Sequence, residues 1–567
     1  MALLSLTGKR WILAEDLQQS RESSIPLTSQ QIVSSLARQR GIEKSESSNF
    51  IGLNAELFPE FPAVRERIRA AMEKKEKIGI FGDYDCDGIT SAALMIRFFR
   101  RRGVEPRFRL PHRISEEYGL KEHHIKNFIE EGAQLLITVD TGGSSVEEIA
   151  LAREAGIDVI VLDHHHLRPE LPKTFALLHP NLIPNFTDSA PCAAGVAWSV
   201  VVGLERADGV VGWDDMATDL ALAGIGTIAD LVELKGSNRI LVHESLRALA
   251  GIKEGPLAFL RVHAGMNGVC TSRDVAFRIA PRLNAAGRMA DPHIALQALL
   301  GNNDALLHLE QLNQERQTHV GSLLEEALMS LPSTLPPLIA LKNEAYSPGI
   351  VGLLASKLTE KFGRPTLIAS IKDQHCIASL RSIPGYHITD GLARAQDLLV
   401  SFGGHAQAAG CAFSLDRFEA LTDRLNVDVA ERVTADDLFP SLTIDASLEA
   451  NDVTLQLCEG IGALEPFGQG NPEPRFLVRS VRLEDVRRVG KEETHLQARV
   501  AGKKLIGFGM AEFEEATRQP LDLVCRVGID TWGGSRRPQL FLDDLRIANT
   551  LEHAKAPNSS ETLSFRS

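Results

Sequence analysis

Paired cysteines are missing from this sequence. Its seven cysteines (Cys86, Cys192, Cys270, Cys376, Cys411, Cys458, Cys525) are odd in number, scattered, and never spaced C-x-x-C. That argues against a disulfide framework and against a thiolate zinc site, and it fits a reducing cytoplasm. Long apolar runs are missing too. The best candidate, 190–204, is too short and too rich in small residues to span a bilayer. The opening residues MALLSLTGKRWILAED hold no basic region followed by an apolar core, so no secretory signal is visible. Neither export nor a membrane partner is expected. A positive charge excess is absent: the net charge is −13, which argues against bulk attraction to nucleic acid or anionic lipid but is compatible with a local basic groove. Internal repeats of 20–50 residues are absent as well. What remains is ordinary for a globular chain, with 44% hydrophobic and 24% charged residues, and 567 residues suggest three or four domains.

Residues 1–75 are polar, with scattered helical signals and a loop at 44–49. From residue 77 short apolar runs alternate with helix-length segments. The pattern runs 78–81, a helix over 89–102, 134–139, a helix over 145–155, and 158–162. This is the signature of β-α-β units in a parallel sheet. Long helical periodicity over 305–331 stops at a proline cluster, Pro332 to Pro337. A second α/β unit follows, with a helix over 349–362 and strands at 338–341, 365–371 and 375–380. Short strands with turn signals over 440–550 predict a small β-barrel. The polar tail after Glu552 is expected to be disordered.

Three carboxylates, Asp83, Asp85 and Asp87, alternate directly after the first strand. Like charges this close repel unless a cation or a proton intervenes, and oxygen donors call for a hard cation. D-x-D-x-D-G also opens a calcium loop. However, the flanks here are strand then helix, and the twelfth position is Leu94 rather than Glu. Two more strand ends repeat the theme. One closes on Asp140 and two glycines, the other on Asp163 followed by His164, His165 and His166. Neutral imidazole beside carboxylates suits Mn²⁺, Fe²⁺ or Zn²⁺. A fourth small-residue run, 224–229, ends in Asp230 and is expected to behave as another strand end. Asp83, Asp85, Asp87, Asp140, His164, His165 and Asp230 are too many ligands for one ion; they fit two ions ~3.5–4 Å apart.

The set Asp-Tyr-Asp-Cys-Asp-Gly, Thr-Val-Asp, Asp-His-His and Gly-Thr-Ile-Ala-Asp resembles the DHH phosphoesterase family. Further motifs carry the likeness along 50–550: Pro281 to Met289, Arg381 to Gly385, Gly403 to His405 with Ala408 to Gly410, and Pro466 to Pro474. The resemblance implies an N-terminal segment (1–75), a DHH catalytic domain (76–304), a connecting helix and linker (305–337), a DHHA1 domain (338–438), an OB-fold domain (439–552) and the tail (553–567). It implies a 5′→3′ exonuclease that hydrolyses single-stranded DNA to 5′-mononucleotides with two divalent cations, Mn²⁺ or Mg²⁺. Asp85, Asp87, Asp140, His164 and Asp230 carry over as direct ligands, with Asp140 bridging. Asp83 and His165 carry over as ligands or as groups that orient them. His166 receives no role. The sequence departs from the family where Tyr346-Ser347 replace the usual Trp-His.

The strand end needs cationic grips, and guanidinium suits phosphate. The resemblance points to Arg288, Ser379, Arg381 and Arg113 at the 5′ phosphate, with Tyr118 and His405 nearby. Two stretches are locally basic, 97–113 and 475–504. The second lies in the predicted barrel and offers Arg475, Arg487, Arg488, Lys491, Lys503 and Lys504 to a single strand. With aromatics at only 5%, contacts to the strand's backbone should outweigh stacking. Two alternatives are a DHH phosphodiesterase acting on short oligonucleotides or cyclic dinucleotides, and a non-catalytic DNA-binding scaffold. The latter calls for missing carboxylates, and none is missing. Family resemblance adds a single-strand-binding protein and a helicase as partners.

Overall fold

Four apolar stretches whose every residue is buried or nearly so (Ile78–Gly82, Leu135–Val139, Asp158–Leu162 and Ala176–Leu178) pair in parallel, as a sheet covered on both faces demands. Arg107–Arg109 adds a fifth strand outside Ile78–Gly82. Numbered along the chain, the spatial order is 2-1-3-4-5, so the direction of winding reverses between the first and third strands. Such a switch point opens a crevice beyond the carboxyl ends of the strands. The register is level there: Gly82 lies opposite Val139, and Val139 opposite Leu162. The residues that follow are Asp83, Asp140 and Asp163.

The computed structural model describes residues 4–14, 28–42, 51–113, 115–116, 119–209, 216–266, 268–434, 436–531 and 534–548. Tyr118, the 44–49 loop and the 553–567 tail lie outside them. Two units divide the chain. The larger takes in 40–434 and 465–472. Besides the parallel sheet it holds a mixed sheet ordered Ser401–Gly404, Ala408–Ser414, His375–Arg381, Thr366–Lys372, Ile339–Asn343. One helix, Asn303–Ser330, serves both cores. Leu306, Leu309 and Leu312 pack into the core around the parallel sheet, while Val320, Leu323 and Ala327 pack with Ile339, Ile350 and Leu354. Tyr346, at the departure from the family pattern, is buried in that second core.

The smaller unit gathers 1–39, 435–464 and 473–567. Its seven-stranded sheet runs from Ala446–Leu448 to Glu484–Val489, and among the described residues these edges do not pair to close a barrel. Arg10–Leu13 pairs in parallel with Ser441–Ile444. Buried Asp544 holds this N-terminal strand by accepting hydrogen bonds from Trp11 Nε1 (2.6 Å) and Thr7 Oγ1 (2.8 Å). The expected single N-terminal segment is therefore split between the units.

The loop 465–472, within the span expected for the OB domain, groups with the larger unit. Backbone oxygens of this loop bind the larger unit: Leu234 N donates to Gln469 O (2.8 Å), Arg239 to Glu465 O (2.7 Å) and Ser272 Oγ to Phe467 O (2.6 Å). A correction concerns 224–229. This run is the end of a helix, Ala217–Ala229, with Asp230 as its C-cap residue. Its small residues serve close helix packing rather than a strand. A Cβ added at Gly226 would lie 2.5 Å from Ala194 Cβ and from Thr90 Oγ1, and 2.9 Å from Asp87 Oδ1. Gly226→Ala is therefore expected to cost about 1–3 kcal/mol by overpacking and to weaken cation binding by displacing Asp87. Chemical denaturation and Mn²⁺ titration measure the two effects.

Candidate active site

Each of the sequence-predicted acidic groups is placed by a local backbone device. Asp85 caps the Cys86–Arg101 helix, its Oδ1 accepting from Asp87 N (2.9 Å) and Gly88 N (3.2 Å). Asp87, in the first turn, is pinned by two backbone amides, Ala193 N and Ala194 N, each 2.8 Å from one of its oxygens. Asn284 reaches across to accept from Cys86 N at 3.0 Å. Asp140 turns sharply off its strand with φ 62°, a left-handed conformation in which Asp is one of the tolerated residues.

The four motifs meet. His164 Nε2 lies 3.3 Å from Asp140 Oδ1, 3.7 Å from Asp87 Oδ2 and 3.7 Å from Asp230 Oδ2, and His165 Nδ1 lies 3.7 Å from Asp140 Oδ1. Three sets have donor atoms within 4.8 Å of one another: Asp83, Asp85 and Asp140; Asp140, His164 and His165; Asp87, His164 and Asp230. Asp140 and His164 each belong to two sets. All seven ligand candidates are thus brought together.

Burial pushes the carboxyls up, and their mutual charges push further. Asp140 is held well above the ordinary carboxylate range by burial and by Asp87, Asp85, Asp83 and Asp230. Asp83 is raised by burial and Asp85, and Asp87 chiefly by burial. Asp230 is pushed up to about 8 by burial, Asp87 and Asp85. Burial lowers His164, which favours its neutral, ligand-competent form. Asp83 Oδ1, Asp140 Oδ1 and His164 Nε2 are buried without any hydrogen-bond partner. Orphaned acceptors of this kind, clustered among repelling carboxylates, fit divalent cations.

Sequence reasoning missed Asp163 as a working residue. Its Oδ1 accepts from His165 Nδ1 (2.8 Å) and His164 N (2.7 Å), and its Oδ2 from Gly143 N (2.8 Å). Although burial opposes its ionisation, the bond and charge of His165 and these amides hold it well below the usual carboxylate range. Burial works to lower His165, but Asp163 outweighs it and lifts the ring to about 9. The signal was present: an Asp two residues before a His at a strand end is placed to fix that ring's tautomer.

Beside the acids lies a cationic pocket. The guanidinium of Arg113 sits over the Tyr84 ring, 4.8 Å from its centroid. Arg288 Nη1 donates to Gly349 O (3.0 Å), and Gly349 is packed against the Arg288 backbone so tightly that a Cβ would not fit. Arg381 Nη1 donates to Ser379 Oγ at 3.0 Å. Burial, then the charges of Arg113, Arg316 and Arg381, depress Arg288 to about 9. Arg113, Arg288, Ser379 and Arg381 therefore lie in one neighbourhood. The His405 side chain is exposed, and its backbone N–H donates to Ala408 O.

A third His-carboxylate group, Glu116, His123 and His124, has a structural explanation. His124 Nδ1 accepts from Lys121 N (3.1 Å), so the proton sits on Nε2 and is donated to Glu116 (3.4 Å). The basic stretches are largely neutralised. Arg97, Arg100, Arg101, Arg102 and Arg109 pair with Asp219, Glu105, Glu205, Asp208 and Glu131. In the smaller unit Arg475, Arg488 and Lys504 pair with Asp543, Glu514 and Asp530, and Arg487 faces Gln497. Lys491 and Lys503 remain without an ion pair among the described residues. Their partnered neighbours draw on carboxylates far along the chain, which a local charge count does not see.

A parallel sheet with acid-bearing strand ends, linked by a long helix to a mixed sheet that carries Ser379 and Arg381, defines a protein of the DHH class. Family models match accordingly: "DHH family, N-terminal domain" over residues 77–225, "DHHA1 domain" over 336–431 and "RecJ OB domain" over 444–544. The single-stranded-DNA-specific exonuclease RecJ of Bacillus subtilis is 33% identical over 548 residues, 91% of this chain and 68% of that protein. The chain belongs to the RecJ exonuclease family. Crystal structures of Thermus thermophilus RecJ are similar throughout. The complex with Mn²⁺ gives a TM-score of 0.80 at 27% identity, over 96% of this chain and 80% of that one. The complex with Mg²⁺ gives 0.74 at 26%, over 96% and 79%. No helix among the described residues is long and apolar enough to cross a membrane.

Proposed function

We propose that this protein is a metal-dependent exonuclease that hydrolyses single-stranded DNA from its 5′ end and releases 5′-mononucleotides. The observation that carries the reading is the meeting of four acid-bearing motifs around orphaned buried acceptors, next to a pocket of unpaired guanidiniums. Asp85, Asp87, Asp140, His164 and Asp230 are the residues that would hold the cations, with Asp83 and His165 beside them. When bound, two divalent cations supply Lewis acidity and neutralise charge on a phosphodiester undergoing in-line displacement.

The rest is done by the chain itself. The Ala193 and Ala194 amides fix both oxygens of Asp87. Asp163 accepts the Nδ1 proton of His165 and so fixes the orientation of that ring. Arg113, Arg288, Ser379 and Arg381 grip a terminal phosphate and so place the next linkage over the acids. A terminal grip of this kind explains polarity, because only an end with a free phosphate fits.

Seven buried, unpaired cysteines support a cytoplasmic setting. Single-strand-binding protein and a helicase are the partners expected wherever single strands are generated. Lys491 and Lys503 are the OB-unit residues best placed to add a strand contact.

The test offers 5′- and 3′-labelled oligonucleotides, single-stranded and duplex, with Mn²⁺. Early release of 5′ label as mononucleotide from the single strand alone supports the reading. Equal loss of the duplex, or 3′ label released first, overturns it. A length series separates a preference for dinucleotides from one for long strands.

A further inference from the structure

Several arginines elsewhere in this protein are matched with carboxylates. Arg394 is bonded to Asp428, Arg526 to Asp543, Arg282 to Glu310. The guanidiniums beside the acidic site are not: among the described residues no carboxylate pairs with Arg113, Arg288 or Arg381. The same is true of a fourth arginine, Arg316, on the Asn303–Ser330 helix.

The helix packing puts Arg316 at the pocket. Arg282 on the Ala280–Met289 helix is bidentate to Glu310 on the long helix, at 2.8 and 3.2 Å. Further along, Met289 packs against the core cluster that holds Val320 and Leu323. The two helices therefore run side by side in the same direction. Arg288 lies six residues past Arg282, and Arg316 six past Glu310. At 1.5 Å per residue both advance about 9 Å from the ion pair, which brings them level.

Arg316 keeps an unused donor. Its Nη2 donates to Asn313 Oδ1 at 3.0 Å, while its Nε is buried without a partner. Asn313, 1% exposed, has its Nδ2 orphaned as well. Buried orphan donors beside like charges lower stability unless an anion occupies the space. The charge of Arg316 is also among the causes that depress Arg288, after burial and Arg113.

We propose that Arg316, oriented by Asn313, is a fourth guanidinium of the anion pocket and a specificity determinant for a phosphorylated 5′ end. The connecting helix is then part of the substrate site as well as a spacer. This inference rests on the terminal-phosphate reading given above.

The test uses the full chain with Mn²⁺ and two single-stranded oligonucleotides that differ only in a 5′-phosphate or 5′-hydroxyl. The parent is expected to favour the phosphate. Arg316→Gln should raise KM for the phosphorylated strand about tenfold, change kcat far less, and affect the 5′-hydroxyl strand much less, so the preference collapses. The slope of log kcat/KM against log salt should fall by about one. Arg316→Lys should recover part of the preference. Asn313→Asp supplies a carboxylate to Arg316, so it should raise the melting temperature while lowering the preference, a combination that a purely structural role does not produce. If the parent shows the preference and Arg316→Gln keeps it, or loses activity equally on both strands, the inference is overturned and the phosphate pocket stands. If the parent shows no preference, the pocket reading fails and this inference with it.

Discussion

Replacing Asp140 with asparagine is expected to reduce kcat/KM by at least a thousandfold, about 4 kcal/mol of transition-state stabilisation, while making the metal-free protein more stable. Asp140 belongs both to the set with Asp83 and Asp85 and to the set with His164 and His165, so it is the carboxylate best placed to serve two cations. Asparagine keeps the shape and tolerates the φ of 62°. What it removes is a buried charge that burial and four neighbouring carboxylates oppose. Loss of that charge relieves repulsion in the empty cluster and deprives the cations of a ligand. Melting temperatures in chelator and cleavage assays in Mn²⁺ check the two signs together. An Asp140→Asn protein that cleaves as fast as its parent removes the basis for metal chemistry at this cluster.

The parts of this site that could be read from sequence are those set by strand geometry. An apolar strand ending in an acid delivers that acid to the carboxyl edge of the sheet. Three such strands in level register deliver Asp83, Asp140 and Asp163 to one crevice, so short motifs sufficed. Asp230 reaches the same place by another route, at the end of a helix whose small residues let it lie against Ala194 and Thr90. Its run of small apolar residues looks the same in either kind of element, and only packing decides. Arg316 was invisible because helical spacing within one segment says nothing about register against another; the Arg282–Glu310 pair sets that register from 28 residues away. The overstated basic groove of the smaller unit has the same origin. Asp543 and Asp530 neutralise Arg475 and Lys504 across strands that are distant in sequence. The split of 1–75 reflects long-range pairing: Arg10–Leu13 adds to Ser441–Ile444, and buried Asp544 captures Trp11 and Thr7.

The second large effect is a reversal of pH dependence by the cations. In chelator the protein is expected to lose stability as pH rises from 5 to 9. Asp83, Asp87, Asp140 and Asp230 all have carboxyls raised in the folded state, Asp230 to about 8, whereas an unfolded Asp titrates near 3.9. Between those limits the folded chain binds more protons than the unfolded one, so the stability slope with pH is negative. The contribution is complete below about pH 4 and disappears as each folded-state value is passed. His165, lifted to about 9 from an ordinary value near 6.5, acts in the same direction: its stabilisation is full below 6.5 and fades toward 9. Asp163, held low, contributes throughout this range and loses its effect only in strong acid. Cations invert the slope, because their affinity rises as the ligands deprotonate and whatever binds only the folded state stabilises it. Thermal melts at pH 5.5, 7 and 8.5 in chelator, Mg²⁺ and Mn²⁺ should therefore show a gap between metal-bound and metal-free protein that widens with pH. Asp140→Asn should flatten the metal-free curve and shrink the gap, which isolates this cluster from the background titration of a chain with net charge −13. A gap that stays constant with pH, or metal-free protein that gains stability as pH rises, would mean that these carboxyls are ionised and satisfied without cations, and the chemistry assigned to them would have to be sought elsewhere.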